Sequence, residues 1–186
     1  MTVLSKAIAQ QCFDAEPLGQ HGQRVANYWL SLWRGDALPL RADFKPRDVA
    51  DQLPCICIFD VIPGESVRCR LFGSILAQGI GRDITGEDWL AMTPESMRAA
   101  RLERFSTVAR GAIGRGLRAS IRESGEQQFS EELMLPFGDV ADDGTRQILV
   151  HVAWRPTTYD PTVTTLELSG GLSLAFRVTP LFSSAT

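Results

Sequence analysis

The sequence predicts an α+β domain: a five-stranded antiparallel sheet with helices packed on one face, plus an N-terminal helix and a C-terminal extension. Three observations predict it. The first is the order of patterns, which runs strand, strand, small helical pieces, long helix, and then three strands. The second is two-residue alternation in the strand segments, the period of a half-buried strand. The third is size and composition. A chain of 186 residues with 44% hydrophobic and 22% charged residues is ordinary for one globular domain that buries a real core.

Taken in order, residues 1–20 read as a flexible lead-in with at most one amphipathic turn. A helix follows from about His21 to Arg34, where Val25, Tyr28 with Trp29, and Leu32 with Trp33 recur at helical spacing before Gly35 ends it. The connector to Pro54 is polar and proline-punctuated, with Phe44 as its anchor and Asp43 and Asp48 as turn residues. Residues 21–54 thus make a helix and connector. The core spans 55–155, and an extension runs from 156 to 186.

Cys55 to Val61 is a nearly continuous apolar run, read as a strand buried on both sides. Pro63, Gly64 and Glu65 turn the chain into a second strand, where Val67, Cys69 and Leu71 point one way and Arg68, Arg70 and Phe72 the other. Gly73 stops that strand, Ser74 caps a short helical turn, and Gly79 and Gly81 break it. Thr85 is expected to cap a short piece holding Trp89 and Leu90, with Asp88 answering it. Thr93, Pro94 and Glu95 start the long helix, which runs to about Arg110 until Gly111, Gly114 and Gly116 terminate it. Among the last three strands, Leu117, Ala119 and Ile121 share a face in the first. Phe129, Glu131, Leu133, Leu135 and Phe137 share one in the second, and Ile148, Val150, Val152 and Trp154 in the third. Beyond Arg155, Leu166 to Val178 reads as one or two short strands that must pack on the domain or on a partner.

An ordered set of residues carries a resemblance. Tyr28 and Trp29, Leu38 and Pro39, Arg41, Asp43 and Phe44, Pro46, Leu53 and Pro54, Asp60 and Val61, and the stretch from Val67 to Gly86 together resemble short, stand-alone bacterial PAS-domain proteins. The resemblance covers about residues 21–155 and departs at Ser74, where the family usually has Thr, and at Lys45, where an acid is common. It implies a PAS-like fold with spatial strand order 2-1-5-4-3, and a sensory or regulatory role. With no kinase, cyclase or DNA-binding segment in the sequence, output is expected through contact with a signalling partner.

Several chemistries are not expected. The net charge of −3 gives no nucleic-acid footprint, and the arginines from Arg98 to Arg122 read as a solvated face. No apolar run of 18 residues suggests a membrane span, and the first residues lack a secretory signal, so a cytoplasmic location is expected. Cys55 and Cys57 without a second pair make a poor zinc site, and no metal is expected. His151 reads as a structural histidine. Asp83, Glu87 and Asp88 read as cap and turn residues, so the chain is not expected to be an enzyme. The glycines after Gly79 do not complete a phosphate loop. The resemblance adds no cofactor: residues 94–112 hold no histidine for haem, and Cys69 lacks the Asn-Cys-Arg helical setting of a photochemical flavin sensor.

Two sites are expected. A small ligand of unknown identity would lie between the inward sheet face and the helices, walled by Leu76, Ile84, Trp89, Phe105, Val108, Ile121, Leu133, Val152 and Trp154. A homodimer contact would use the crowded aromatic surface of Tyr28, Trp29, Leu32 and Trp33. The alternative is a structural interaction module whose pocket is filled by its own side chains.

Overall fold

The computed structural model describes residues 3–15, 17–121, 127–155, 172–180 and 182–183, with side chains described over 5–15, 17–117 and 130–153. In chain order the elements are β1 (Val3–Leu4), α1 (Lys6–Ala15), α2 (Gln20–Ser31), three tight helical turns (Arg41–Asp43, Pro46–Val49, Leu53–Cys55), β2 (Ile56–Ile62), β3 (Ser66–Phe72), α3 (Ser74–Ile80), α4 (Glu95–Ala109), β4 (Ala112–Ile121), β5 (Gln127–Val140), β6 (Arg146–Arg155), β7 (Leu172–Pro180) and β8 (Phe182–Ser183).

The five expected strands are β2 to β6, and they lie in the order β3-β2-β6-β5-β4, the 2-1-5-4-3 arrangement that the resemblance implies. A sixth strand, β7, extends the sheet beyond β4, from Ser120↔Leu172 to Ala112↔Pro180. The part of the C-terminal extension that forms β7 therefore packs on the domain itself. Leu166 and Leu168, also read as strand, lie outside the described residues. The opposite edge is closed by the chain after α3. Gly86 and Trp89 donate backbone hydrogen bonds to the carbonyls of Cys69 and Val67 (2.7 and 2.8 Å), and Cys69 donates to the carbonyl of Glu87 (2.9 Å). Capping an exposed edge removes a template for unwanted pairing.

The sheet is buried on both faces. On one, here the inner face, α3, α4 and the segment around Ile84 cover Cys57, Phe59, Val61, Val67, Cys69, Met134, Ile148 and Val150. On the other, α1, α2 and the connector cover Ile56, Ile58, Leu133, Leu135, Phe137 and Leu149. A strand buried on both sides reads as a near-continuous apolar run, and β2 is apolar at every position but the half-buried Asp60.

The N-terminal region differs from expectation. Residues 6–15 form a true helix whose Ala9 and Phe13 are buried with α2, so the lead-in is part of the core. Trp29 is fully buried, and its indole nitrogen donates to the carbonyl of Pro136 (3.0 Å). Trp33 is 6% exposed and meets Trp29 edge to face at 5.3 Å. The expected exposed aromatic surface is thus corrected: both tryptophans lie on the outer sheet face within one chain. Tyr28 and Leu32 are half-buried against the same cluster. The Tyr28 hydroxyl accepts from the backbone of Lys45 (2.8 Å), pinning the connector to α2.

Local differences have local causes. The register between β2 and β3 shifts between Ile58↔Leu71 and Phe59↔Cys69, which leaves Arg70 as an extra residue in a bulge. Alternation therefore breaks, and Leu71 turns to the outer face opposite Ile58. Gly114 and Gly116 do not end α4; they sit within β4, paired with Met134 and Glu132. Gly111, at φ +109°, makes the stop. Gly73 rather than Ser74 is the N-cap of α3, and Gly81 ends it at φ +81°. Thr85 caps no helix. Its backbone N–H and hydroxyl both donate to Asp83 (2.8 and 2.7 Å), forming a turn.

His151 points to the outer face, where it is 1% exposed. One ring nitrogen, Nε2, lies 3.3 Å from Gln52 Oε1, and Nδ1 has no hydrogen-bond partner among the described residues. Gln52 also reaches His21 Nδ1 (3.0 Å). Burial, with the charge of His21 adding, pushes the His151 imidazole down from 6.5 to about 4. Below pH 6.5 the unfolded chain takes up a proton that the folded chain refuses until about pH 4, so stability falls with pH across that window. Urea unfolding should show a loss of roughly 2 kcal/mol between pH 7 and pH 5. The His151→Gln variant should lack that part of the slope. Equal slopes in both proteins would mean that His151 protonates in place.

Candidate functional site

The inner face gathers most of the expected ligand walls. Leu76 comes from α3, Ile84 from the following segment, and Phe105 and Val108 from α4; all four are buried in one cluster. Trp89 and Val152 pack against it half-buried. Phe59, not foreseen as a wall, stands at the centre. It meets Phe105 edge to face at 5.1 Å and Trp89 at 5.7 Å. Leu133 is corrected: it belongs to the outer cluster with Leu135 and Phe137, and its neighbour Met134 takes the inner position. Along a strand, adjacent residues face opposite ways, so the row from Leu133 to Phe137 serves α2 instead of α4. Ile121 and Trp154 lie outside the residues whose side chains are described.

The polar part of the site comes from α4. Arg101, Phe105 and Val108 follow the i, i+4, i+7 spacing of one helix face, so the guanidinium faces in with the apolar residues. Arg101 is 8% exposed and is an exception to the expected solvated arginine face. Its Cζ lies 5.0 Å from the Trp89 ring centroid, and its Nη1 donates to Thr93 Oγ1 at 2.6 Å. Thr93, in turn, donates its hydroxyl proton to the carbonyl of Trp89 (2.8 Å). It is 1% exposed and acts as this link; Pro94, not Thr93, is the N-cap of α4. Arg98 Nε holds the Thr93 carbonyl (2.9 Å). A planar cation laid on an indole and fixed by a hydroxyl is a pre-positioned charge in an apolar setting.

Two alternate positions of β4 bring no side chain to the inner face. Gly114 and Gly116 stand opposite Met134 and Glu132 and contribute no side chain. Glu132 itself is 4% exposed. Glycines inside a strand mark places where a ligand or another element approaches the backbone.

The two inner-face cysteines are poorly placed to react. Cys57 and Cys69 are buried, and burial, with Asp83 adding, pushes the Cys69 thiol up to about 12. Among the described residues no cluster of three or more His, Cys, Asp or Glu side chains is arranged to hold a metal ion, and no helix is long and apolar enough to cross a membrane.

A search of curated proteins found no match. One similar solved structure is the PAS domain of an HTR-like protein from Haloarcula marismortui, at 15% identity and a TM-score of 0.33, covering 59% of this chain and 93% of that one. The sequence model of the PAS domain matches residues 19–150, which takes in α2, the connector, β2 to β5, and half of β6. A match over well more than half of the sequence, on the elements that build the sheet and both of its covered faces, shows that the chain belongs to the PAS domain family.

Proposed function

We propose that this chain is a PAS-type sensory or regulatory module that binds a small ligand on the inner face of its sheet and passes the signal on by protein contact. The observation that carries the reading is the buried Arg101 guanidinium, laid on Trp89 and held by Thr93 among the apolar residues of that face. A mostly apolar setting with a few fixed polar groups, here Arg101, Thr93 and Glu132, is the usual form of a small-molecule site. The module is proposed to be non-catalytic. The acids that the sequence singles out are committed elsewhere: Asp83 to the Thr85 turn, Asp88 to the backbone of Leu90 (2.8 Å), and Glu87 to Arg82 (2.6 Å). The cytoplasm is the proposed compartment, supported by four cysteines that form no disulfide in the described structure.

A second reading has its own observation. Phe105 and Trp89 both stack on Phe59, so the centre of the inner face is filled by the protein's own rings. That favours an interaction module with a self-filled pocket. Native mass spectrometry of the purified protein separates the two. A bound small molecule, lost in Arg101→Gln at unchanged circular dichroism, is the expected result. A bare protein mass under the gentlest conditions would favour the self-filled module. The same spectrum reports oligomeric state. A homodimer would support signalling through self-association, with the half-buried Tyr28 of α2 and Leu32 at its C-terminal cap, not the buried Trp29 and Trp33, as the available residues.

A further inference from the structure

A concavity lies on the outer face, on the far side of the sheet from Arg101. It is a groove of about 330 Å³ between the connector and the ends of β2 and β3. Phe44, Pro46 and Leu53 of the connector form one wall, Ile58 the floor, and Leu71 the other wall. Leu71 is there because of the bulge at Arg70, and it is 41% exposed. Much of the motif that marks the resemblance converges here: Arg41, Phe44, Pro46, Leu53, Pro54 and Leu71 all line this groove, and none of them lines the inner face.

Among the residues lining the groove, Arg41 is the one with a charge. Its Cζ sits 5.3 Å from the centroid of Phe44 and 5.9 Å from that of Phe137, so two rings hold the guanidinium in place. No carboxylate among the described residues forms an ion pair with it. Asp43 is paired with Arg34 (2.6 Å), and Asp139 accepts from the backbone N–H of Arg41. Ser74 adds a hydroxyl at the rim. An apolar slot with one pre-placed, uncompensated cation complements a molecule with an apolar body and a single negative end.

We propose that this groove binds a small amphiphilic carboxylate, its chain against Phe44, Ile58 and Leu71 and its carboxylate on Arg41. A volume of 330 Å³ holds about ten non-hydrogen atoms at the packing of a liquid, which makes octanoate a suitable probe. Amide resonances of the full chain, followed by NMR on titration with octanoate to about millimolar concentration, test the proposal. Saturable shifts at Leu71, Phe72 and Ser74 are expected, and octylammonium at the same concentration should produce none. Arg41→Gln should weaken octanoate binding about tenfold. Because Arg41 also packs on two rings, Leu71→Glu provides a second variant: its side chain is largely exposed, so the fold should persist while a like charge in the groove abolishes binding. The proposal is overturned if octanoate leaves these amides unmoved, if octanol binds as tightly, if Leu71→Glu binds as the wild type does, or if the shifts fall on Met134 and Val150 of the inner face. Shifts produced instead by an acidic, apolar peptide, with octanoate inert, would identify a protein-docking groove and overturn it as well.

Discussion

Shortening Trp29 to alanine is expected to cost about 3–5 kcal/mol, the range for removing a fully buried tryptophan. Three losses combine. The indole is entirely covered by the outer cluster, its nitrogen satisfies the Pro136 carbonyl at 3.0 Å, and its ring edge packs on Trp33. Pro136 lies on β5 in the middle of the sheet, so the cavity and the orphaned carbonyl fall together in the core. For a chain of this size the melting temperature should drop by roughly 10 °C, read by calorimetry. Trp29→Glu should fail to fold at all, losing its sheet signal in circular dichroism instead of yielding a folded monomer. Trp33→Phe is the internal control. The Trp33 indole N–H has no hydrogen-bond partner among the described residues, so removing it sacrifices no bond and should cost less than about 1 kcal/mol. If Trp29→Ala melts like the wild type, α2 does not sit on the sheet in solution.

Much of this architecture was legible because alternation and helical spacing are local signals. The rows Leu133–Leu135–Phe137 and Ile148–Val150 each share a face, as alternation predicts. What alternation does not encode is which helices meet which face. Alternation puts Leu133 on the ligand side because its row is the more apolar one, the alternate row being Ser130, Glu132, Met134 and Pro136, and only the path of α2 across the outer face reverses that choice. The same gap led to the dimer reading of Trp29 and Trp33. A crowded aromatic helix demands cover, and the sequence does not say whether the cover is the chain's own sheet or a second copy.

Other features were hidden for different reasons. Helix α1 is ten residues long, and a helix that short is marginal until its apolar side, here Ala9 and Phe13, finds a core. The bulge at Arg70 leaves no mark in the alternation until the register with β2 is known. Arg101 was visible in principle: a charge on the same helical stripe as Phe105 and Val108 is out of place on a solvated face. Its neighbours Arg98 and Arg104 concealed it by making the whole helix read as polar.

Adding a single methyl group at Gly73 is expected to cost about 3 kcal/mol, and Gly73→Val more, although its backbone is ordinary. With φ −62° and ψ 140°, any residue adopts this conformation, and alanine there would normally stabilise by stiffening the unfolded chain. Space reverses the sign. A Cβ at Gly73 would lie 2.4 Å from the Pro54 carbonyl oxygen, 2.7 Å from its carbon and 2.9 Å from the Ile56 oxygen. All three are backbone atoms, two in the tight turn Leu53–Cys55 and one in the first residue of β2, a strand held between β3 and β6 that leaves them little room to shift. Gly86 supplies the contrast. It has φ +88° and nothing within 4 Å of an added Cβ, so Gly86→Ala carries only conformational strain of about 1 kcal/mol. Sequence punctuation treats the two glycines alike, whereas the structure ranks them. Chemical denaturation of the two alanine variants should place Gly73→Ala about 2 kcal/mol below Gly86→Ala with similar denaturant slopes. Equal stabilities would mean that Pro54 and Gly73 do not touch, and that the connector lies differently against the sheet.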